Sequence, residues 1–176
     1  MQPPDRRRRS PRAAPLAGKH ATTVAHARAL GATGPDLSLP IVSCALLLID
    51  VIHPFDFDGA EALEARARRI LGPAASLADR ARARGLPVIY VNDNFGRWRS
   101  SFEELVDRCE EGPGAEMVRA LHPADGDLFV LKPHRSGFYC TPLELLLAEL
   151  DCRELIVAGL TTDMCVLATV SDARMR

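Results

Sequence analysis

The sequence predicts an α/β protein, a three-layer α/β/α sandwich built on a mostly parallel sheet. Three observations carry this. Four short apolar runs, at 44–49, 88–91, 128–131 and 155–158, alternate with longer stretches of helical period. The runs are continuously apolar rather than alternating, as in strands covered on both faces. The segments between them are long enough for right-handed crossovers, which parallel strands require. A chain of 176 residues with 47% hydrophobic content is one domain by length and can bury a sizeable core.

Taken in order, residues 1–38 lack a sustained period and are rich in Pro and Arg. They read as a disordered or loosely packed basic tail, with a short helix across 23–30. The folded domain is assigned to 39–176. Its first strand is Cys44-Ala-Leu-Leu-Leu-Ile49, ending in Asp50. Helical residues follow over 60–71. Gly72-Pro73 breaks them, and a second helix runs over 74–84. Gly85 and then Pro87 stop that helix. Val88-Ile-Tyr-Val91 is the second strand, with Asn92-Asp93 at its end. Short helices are expected at 101–107 and 115–121. Leu128-Phe-Val-Leu131 is the third strand and ends at Lys132-Pro133. A helix over 142–150 is capped by Thr141. The fourth strand, 155–158, reads as buried and ends at Gly159; the last helix covers 163–174.

Charge and cysteine content narrow the function. Net charge is −1, with residues 1–40 at +5 and the remainder at −6. No whole-chain field argues for nucleic acid or a membrane surface. The arginines at 6–9 are followed by no apolar segment, so they do not read as an export signal. No stretch is long enough to cross a bilayer. Five scattered cysteines, odd in number, read as reduced thiols of a cytoplasmic protein rather than a disulfide frame or zinc site.

In parallel sheets ligands bind beyond the carboxyl ends of the strands. Asp50, Asn92-Asp93, Lys132 and the turn before Cys165 all stand at such ends. If Thr162 caps the last helix, Cys165 falls in its first turn, where free N–H groups and the positive dipole end favour a thiolate. A carboxylate at Asp50 can take the thiol proton, and the Lys132 ammonium can stabilise both anions. The amides of Thr161 and Cys165 are placed to receive an oxyanion. Each residue taken alone also has a structural reading: Cys165 as core, Asp50 as a loop cap, Lys132 as a snorkelling side chain. Three complementary groups at three strand ends argue for a site.

These residues carry a family resemblance. Leu46-Leu-Leu-Ile-Asp50 with Phe55-Asp-Phe57 and Gly59, Tyr90-Val-Asn-Asp93, Lys132-Pro133 with Ser136-Gly-Phe138, and Gly159-Leu-Thr-Thr-Asp-Met-Cys165-Val, continuing to Thr169 and Asp172-Ala173, resemble the isochorismatase-like cysteine hydrolases. That superfamily includes nicotinamidases and carbamoyl amidases. The resemblance implies a triad of Asp50 as proton acceptor, Lys132 as charge stabiliser and Cys165 as nucleophile. It implies a cis peptide at Leu160–Thr161 before the first oxyanion donor, and a homo-oligomer. It also implies the strand order 3-2-1-4-5-6, of which this chain would keep four strands and leave the fourth with an open edge; the C-terminal strands would be missing.

Two further expectations follow. Nicotinamidases hold a metal with an Asp and several His, but here Asn92-Asp93-Asn94-Phe95-Gly96-Arg97-Trp98 stands in the second of those places. His53, Asp56 and Asp58 are read as solvated loop residues, and no metal and no cofactor are expected. Phe55, Trp98, Phe138 and Tyr139 are candidates for an aromatic wall around a small planar substrate. The expected activity is hydrolysis of a C–N bond in a small amide or carbamoyl compound through a thioester. A hydrolase of a non-amide small molecule and a catalytically silent binding or oligomerisation module are the alternatives.

Overall fold

A computed structural model describes residues 44–99 and 101–176; the expectations for the basic tail at 1–38 lie outside them. The strands are β1 (Cys44–Ile49), β2 (Val88–Asp93), β3 (Leu128–Lys132) and β4 (Glu154–Gly159). They form one parallel sheet in the order β3-β2-β1-β4. The helices are α1 (Ala60–Ala67), α2 (Leu71–Arg82), α3 (Phe102–Glu110), α4 (Ala115–Ala120), α5 (Leu143–Glu149) and α6 (Leu167–Met175).

The alternation of side chains along β1 divides the core. Leu46 and Leu48 point into a cluster with residues of α1 to α4, including Ala67, Ala78, Leu105 and Val118. Ala45, Leu47 and Ile49 point the other way, against Leu143 and Leu147 of α5 and Cys165. All five are fully buried. A strand with helices on both faces needs no polar side, which is why its sequence is continuously apolar. Each buried Leu or Ile contributes about 2 kcal/mol by removal from water.

The helical breaks differ from the sequence expectation in one place. Helix α1 ends at Ala67, and a single 3-10 turn, Arg68–Ile70, leads into α2. Pro73 therefore lies in the first turn of α2, where its missing N–H costs no helical hydrogen bond. At α3, Ser101 and Glu104 form a reciprocal capping box, which fixes the start one residue after Ser101.

The fourth strand departs further. Its apolar run was expected to be buried, yet Ile156 is 38% exposed and the rest of β4 is at most half-buried. The physical reason is position: β4 pairs with β1 on one side and has no strand on the other among the described residues. Leu167 and Val170 of α6 are exposed beside it.

Register brings the chemistry to one edge of the sheet. Ile49 pairs with Val91 and with Gly159, and Asp93 pairs with Lys132. Gly159 has φ +144°, and a Cβ there would lie 2.0 Å from the Ile49 carbonyl oxygen. Only glycine lets β4 approach β1 closely enough at this point.

Candidate active site

The chain turns sharply where β1 ends. Asp50 has a left-handed φ of 51°, a conformation Asp tolerates better than most residues. Its N–H donates to the Val91 carbonyl at 3.1 Å, and its Oδ1 accepts from the Asp93 N–H at 2.7 Å. The carboxylate is thus held by backbone from the neighbouring strand. Lys132 ends β3 with a side chain that is 0% exposed. Its Nζ lies 2.9 Å from Asp50 Oδ2, 3.4 Å from Cys165 Sγ and 3.5 Å from Asp93 Oδ2. Complete burial rules out the snorkelling alternative for Lys132. Asp50, Lys132 and Cys165, remote in sequence, meet around one ammonium.

Beyond β4 the Leu160–Thr161 peptide is cis, and Leu160 N–H donates to the Ile49 carbonyl at 2.8 Å. The helix then begins not with an α-turn but with a π-helical turn, Thr162–Val166, in which Val166 N–H reaches the Thr161 carbonyl at 3.2 Å. Cys165 lies in that wide turn and is half-buried. Single π-turns recur at functional sites because they re-aim a side chain without ending the helix.

The electrostatics reverse one expectation. The helix start was expected to favour a thiolate. Instead burial, reinforced by the Asp50 carboxylate, pushes the Cys165 thiol up to about 11, against the opposing pull of Lys132. Burial also lifts Asp50 above the ordinary carboxylate range, although Lys132, Cys165 and the Asp93 N–H act against it. Burial alone would lower Lys132, but Asp50, Cys165 and Asp93 together raise it. The resting arrangement is therefore a thiol beside a carboxylate and an ammonium. Burial thus favours the protonated form at sulfur.

A second layer locks the Lys132 and Cys165 segments together. Thr169, fully buried on α6, donates to the Cys165 carbonyl at 2.7 Å and accepts from the Gly137 N–H at 2.9 Å. Ser136 Oγ donates to Asp172 at 2.5 Å and accepts from the Phe138 N–H at 3.1 Å. A Cβ on Gly137 would lie 2.8 Å from Val91 Cγ1. Ser136, Gly137, Thr169 and Asp172 matter here as ties between the loop after Lys132 and the helix carrying Cys165. Thr169→Val keeps the shape but orphans the buried Gly137 N–H. It should lower stability by about 2 kcal/mol in urea unfolding, with no change in slope.

The aromatic candidates do not converge. Phe55 packs with the core on the α1–α4 face and Phe138 with the core on the α5–α6 face. Phe138 instead carries the Arg176 guanidinium 5.0 Å above its ring. Trp98 is 80% exposed, and Tyr139 is exposed against His134. The cluster that does form was missed: the His53 ring lies 4.4 Å from Phe55, 5.0 Å from Phe95 and 5.9 Å from Phe57 between centroids. His53 is not a solvated loop residue. Burial lowers it to about 4, so it is neutral, and its Nδ1 accepts from the Phe55 N–H at 2.9 Å. Asp56 is ion-paired with Arg108. Phe55 has a left-handed φ of 50°, so the loop is not extended and no strand-like alternation announced this cluster. Among the described residues no three His, Cys, Asp or Glu side chains are gathered as a metal ion would require. No helix among them is long and apolar enough to cross a membrane.

Comparison with known proteins agrees with this architecture. The family model described as "Isochorismatase domain" matches residues 44–176. An isochorismatase family protein of Bacillus subtilis, YaaI, is 37% identical over 132 residues, covering 75% of this chain and 73% of that protein. Streptothricin hydrolase of Streptomyces noursei is 33% identical over 75% of this chain, which spans 49% of that enzyme. The crystal structure of N-carbamoylsarcosine amidase from Thermoplasma acidophilum superposes with a TM-score of 0.58 at 29% identity, covering 74% of this chain and 75% of that one. With the strand order and the motif residues placed as described, the chain belongs to the isochorismatase family of hydrolases.

Proposed function

We propose that this protein is a cysteine hydrolase that cleaves a C–N bond in a small amide or carbamoyl compound through a thioester. The observation that carries the reading is one buried ammonium bridging a carboxylate at 2.9 Å and a thiol at 3.4 Å. Relatives named for such bonds support it: maleamate amidohydrolase of Pseudomonas putida, 28% identical, and N-carbamoylsarcosine amidase.

In this mechanism Asp50 takes the Sγ proton as sulfur attacks the carbonyl carbon. Lys132 keeps its charge beside both groups and offsets the negative charge that moves from carboxylate to sulfur and on to the carbonyl oxygen. The oxyanion is received by the N–H groups of Thr161 and Cys165. Collapse of the tetrahedral adduct breaks the C–N bond, and the leaving nitrogen takes the proton back from Asp50. Asp50 then accepts a proton from water, which attacks the thioester; acid is released and Cys165 regains its proton.

Two readouts test this. A panel of small carboxylated and carbamoyl amides, with ammonia release as the signal, should yield at least one substrate. Acid quench during turnover should trap an acyl adduct on Cys165 by mass. Turnover without such an adduct would remove the thioester. The pH profile follows from the site. Asp50 acts as base only when ionised, and it titrates above the ordinary carboxylate range, so kcat/KM should fall on acidification earlier than a free carboxylate predicts. Activity should hold through neutrality, since Lys132 is raised and Cys165 titrates at about 11.

The same reading takes the protein as a cytoplasmic homo-oligomer acting on a small molecule. Five free thiols suit a reducing compartment.

A further inference from the structure

The ammonium of Lys132 faces a second carboxylate that the mechanism above does not use. Asp93 ends β2 opposite Lys132 in the register of β2 and β3, and its Oδ2 is 3.5 Å from Nζ. Its other oxygen, Oδ1, accepts from the Phe95 N–H at 2.7 Å, which fixes the side chain. Its own N–H holds Asp50 Oδ1 at 2.7 Å. One residue therefore touches both partners of Cys165, by backbone on one side and by charge on the other.

We propose that Asp93 is a positioning residue that anchors the Lys132 ammonium throughout the reaction and sets the charge of the site. The charge count explains the need. At rest Lys132 faces two anions, Asp50 and Asp93, beside a neutral thiol. Once the thiol proton moves to Asp50, that carboxylate is neutral and its hold on the ammonium weakens. Asp93 then supplies a constant anion, so Lys132 faces two anions in both states: Asp93 with either Asp50 or the thiolate. The charged and titratable groups around it are Asp50 from the turn after β1, Lys132 from β3, Cys165 from the π-turn and His53 from the loop after β1. Arg97 and, on α3, Glu104 and Arg108 line its outer side. Asp93, Asp50, Lys132 and the neutral thiol together carry a net charge of minus one with His53 neutral, and a negative surplus beside Lys132 opposes a thiolate next to it.

The turnover half of the test rests on the hydrolase reading; the labelling half does not. Asp93→Asn keeps the shape, an acceptor for the Phe95 amide and the N–H to Asp50, and removes only the charge beside Lys132. Iodoacetamide labelling of Cys165 in the full chain, followed by peptide mass spectrometry from pH 7 to 9.5, reads the thiolate. Cys140, exposed on the surface, is the internal reference. Labelling of Cys165 in Asp93→Asn should be about tenfold faster at each pH, equivalent to about one unit of acidward movement. The Asp93→Glu variant, which restores charge, should return the profile toward wild type. On any amide the wild type hydrolyses, kcat for Asp93→Asn should fall about tenfold with KM changed by less than about twofold. A labelling profile that overlays the wild type, or moves to higher pH, overturns the proposal. Should Asp93→Asn fail to fold, Asp93→Ser retains an acceptor for Phe95 and is read in the same way. If the wild type hydrolyses no amide, the hydrolase reading falls, while the labelling profile still decides the role of Asp93.

Discussion

Replacing Cys165 with alanine is expected to lower kcat/KM for amide hydrolysis by at least about 10⁴-fold while leaving the fold intact. The sulfur is the atom that forms the covalent bond in the proposed reaction, and no other described nucleophile adjoins Asp50 and Lys132. The side chain is half-buried in a wide helical turn, so its loss leaves only a small, accessible gap. Burial holds the thiol protonated, so its removal leaves no unpaired charge behind. Ammonia release measured with the same amide, alongside a thermal melt, separates the two effects. Residual hydrolysis within about tenfold of wild type would sink the nucleophile assignment.

The second large effect is expected at Lys132. Lys132→Met nearly preserves volume but removes the charge that Asp50 and Asp93 share. Asp50 is 5% exposed, so its carboxylate would be left buried without a counter-charge. Breaking one side of such a pair costs about 3–5 kcal/mol, and urea unfolding at neutral pH should show a loss of that size. The pH dependence gives the sign. Without Lys132, Asp50 titrates still further above its unfolded value, so the folded state binds a proton that the unfolded chain does not. The variant's deficit should therefore shrink as pH falls from 7 toward 4 and be largest at neutral pH and above. A deficit that stays constant or grows on acidification would show that the ammonium is not what balances Asp50. Hydrolysis should be lost at every pH where the variant folds.

Much of this was readable before any coordinates. The continuous run Cys44–Ile49 demanded burial on both faces, and the crossover lengths demanded parallel strands; together they fix a sheet whose carboxyl ends carry Asp50, Lys132 and the turn to Cys165. Gly85 follows α2 as expected, whereas the Ser101–Glu104 capping box, which sets the start of α3 one residue later than the expected 101, was not read. The break after α1 was misplaced because Gly72 and Pro73 look disruptive in sequence, yet first-turn positions tolerate both.

The residue types and their order in the chain determined the sheet, its strand ends and the three groups that meet there, because strand and helix periods and crossover handedness depend on short-range geometry. Only the tertiary structure decided three other things. It placed Phe55 and Phe138 on opposite sides of the sheet, gathered His53 with Phe55, Phe57 and Phe95, and put Asp93 beside Lys132. It also set the direction in which the Cys165 thiol is shifted. A helix start acts locally, whereas the Asp50 carboxylate lies more than a hundred residues away in sequence and the burying cluster is drawn from several strands and helices; together they outweigh it at contact distance.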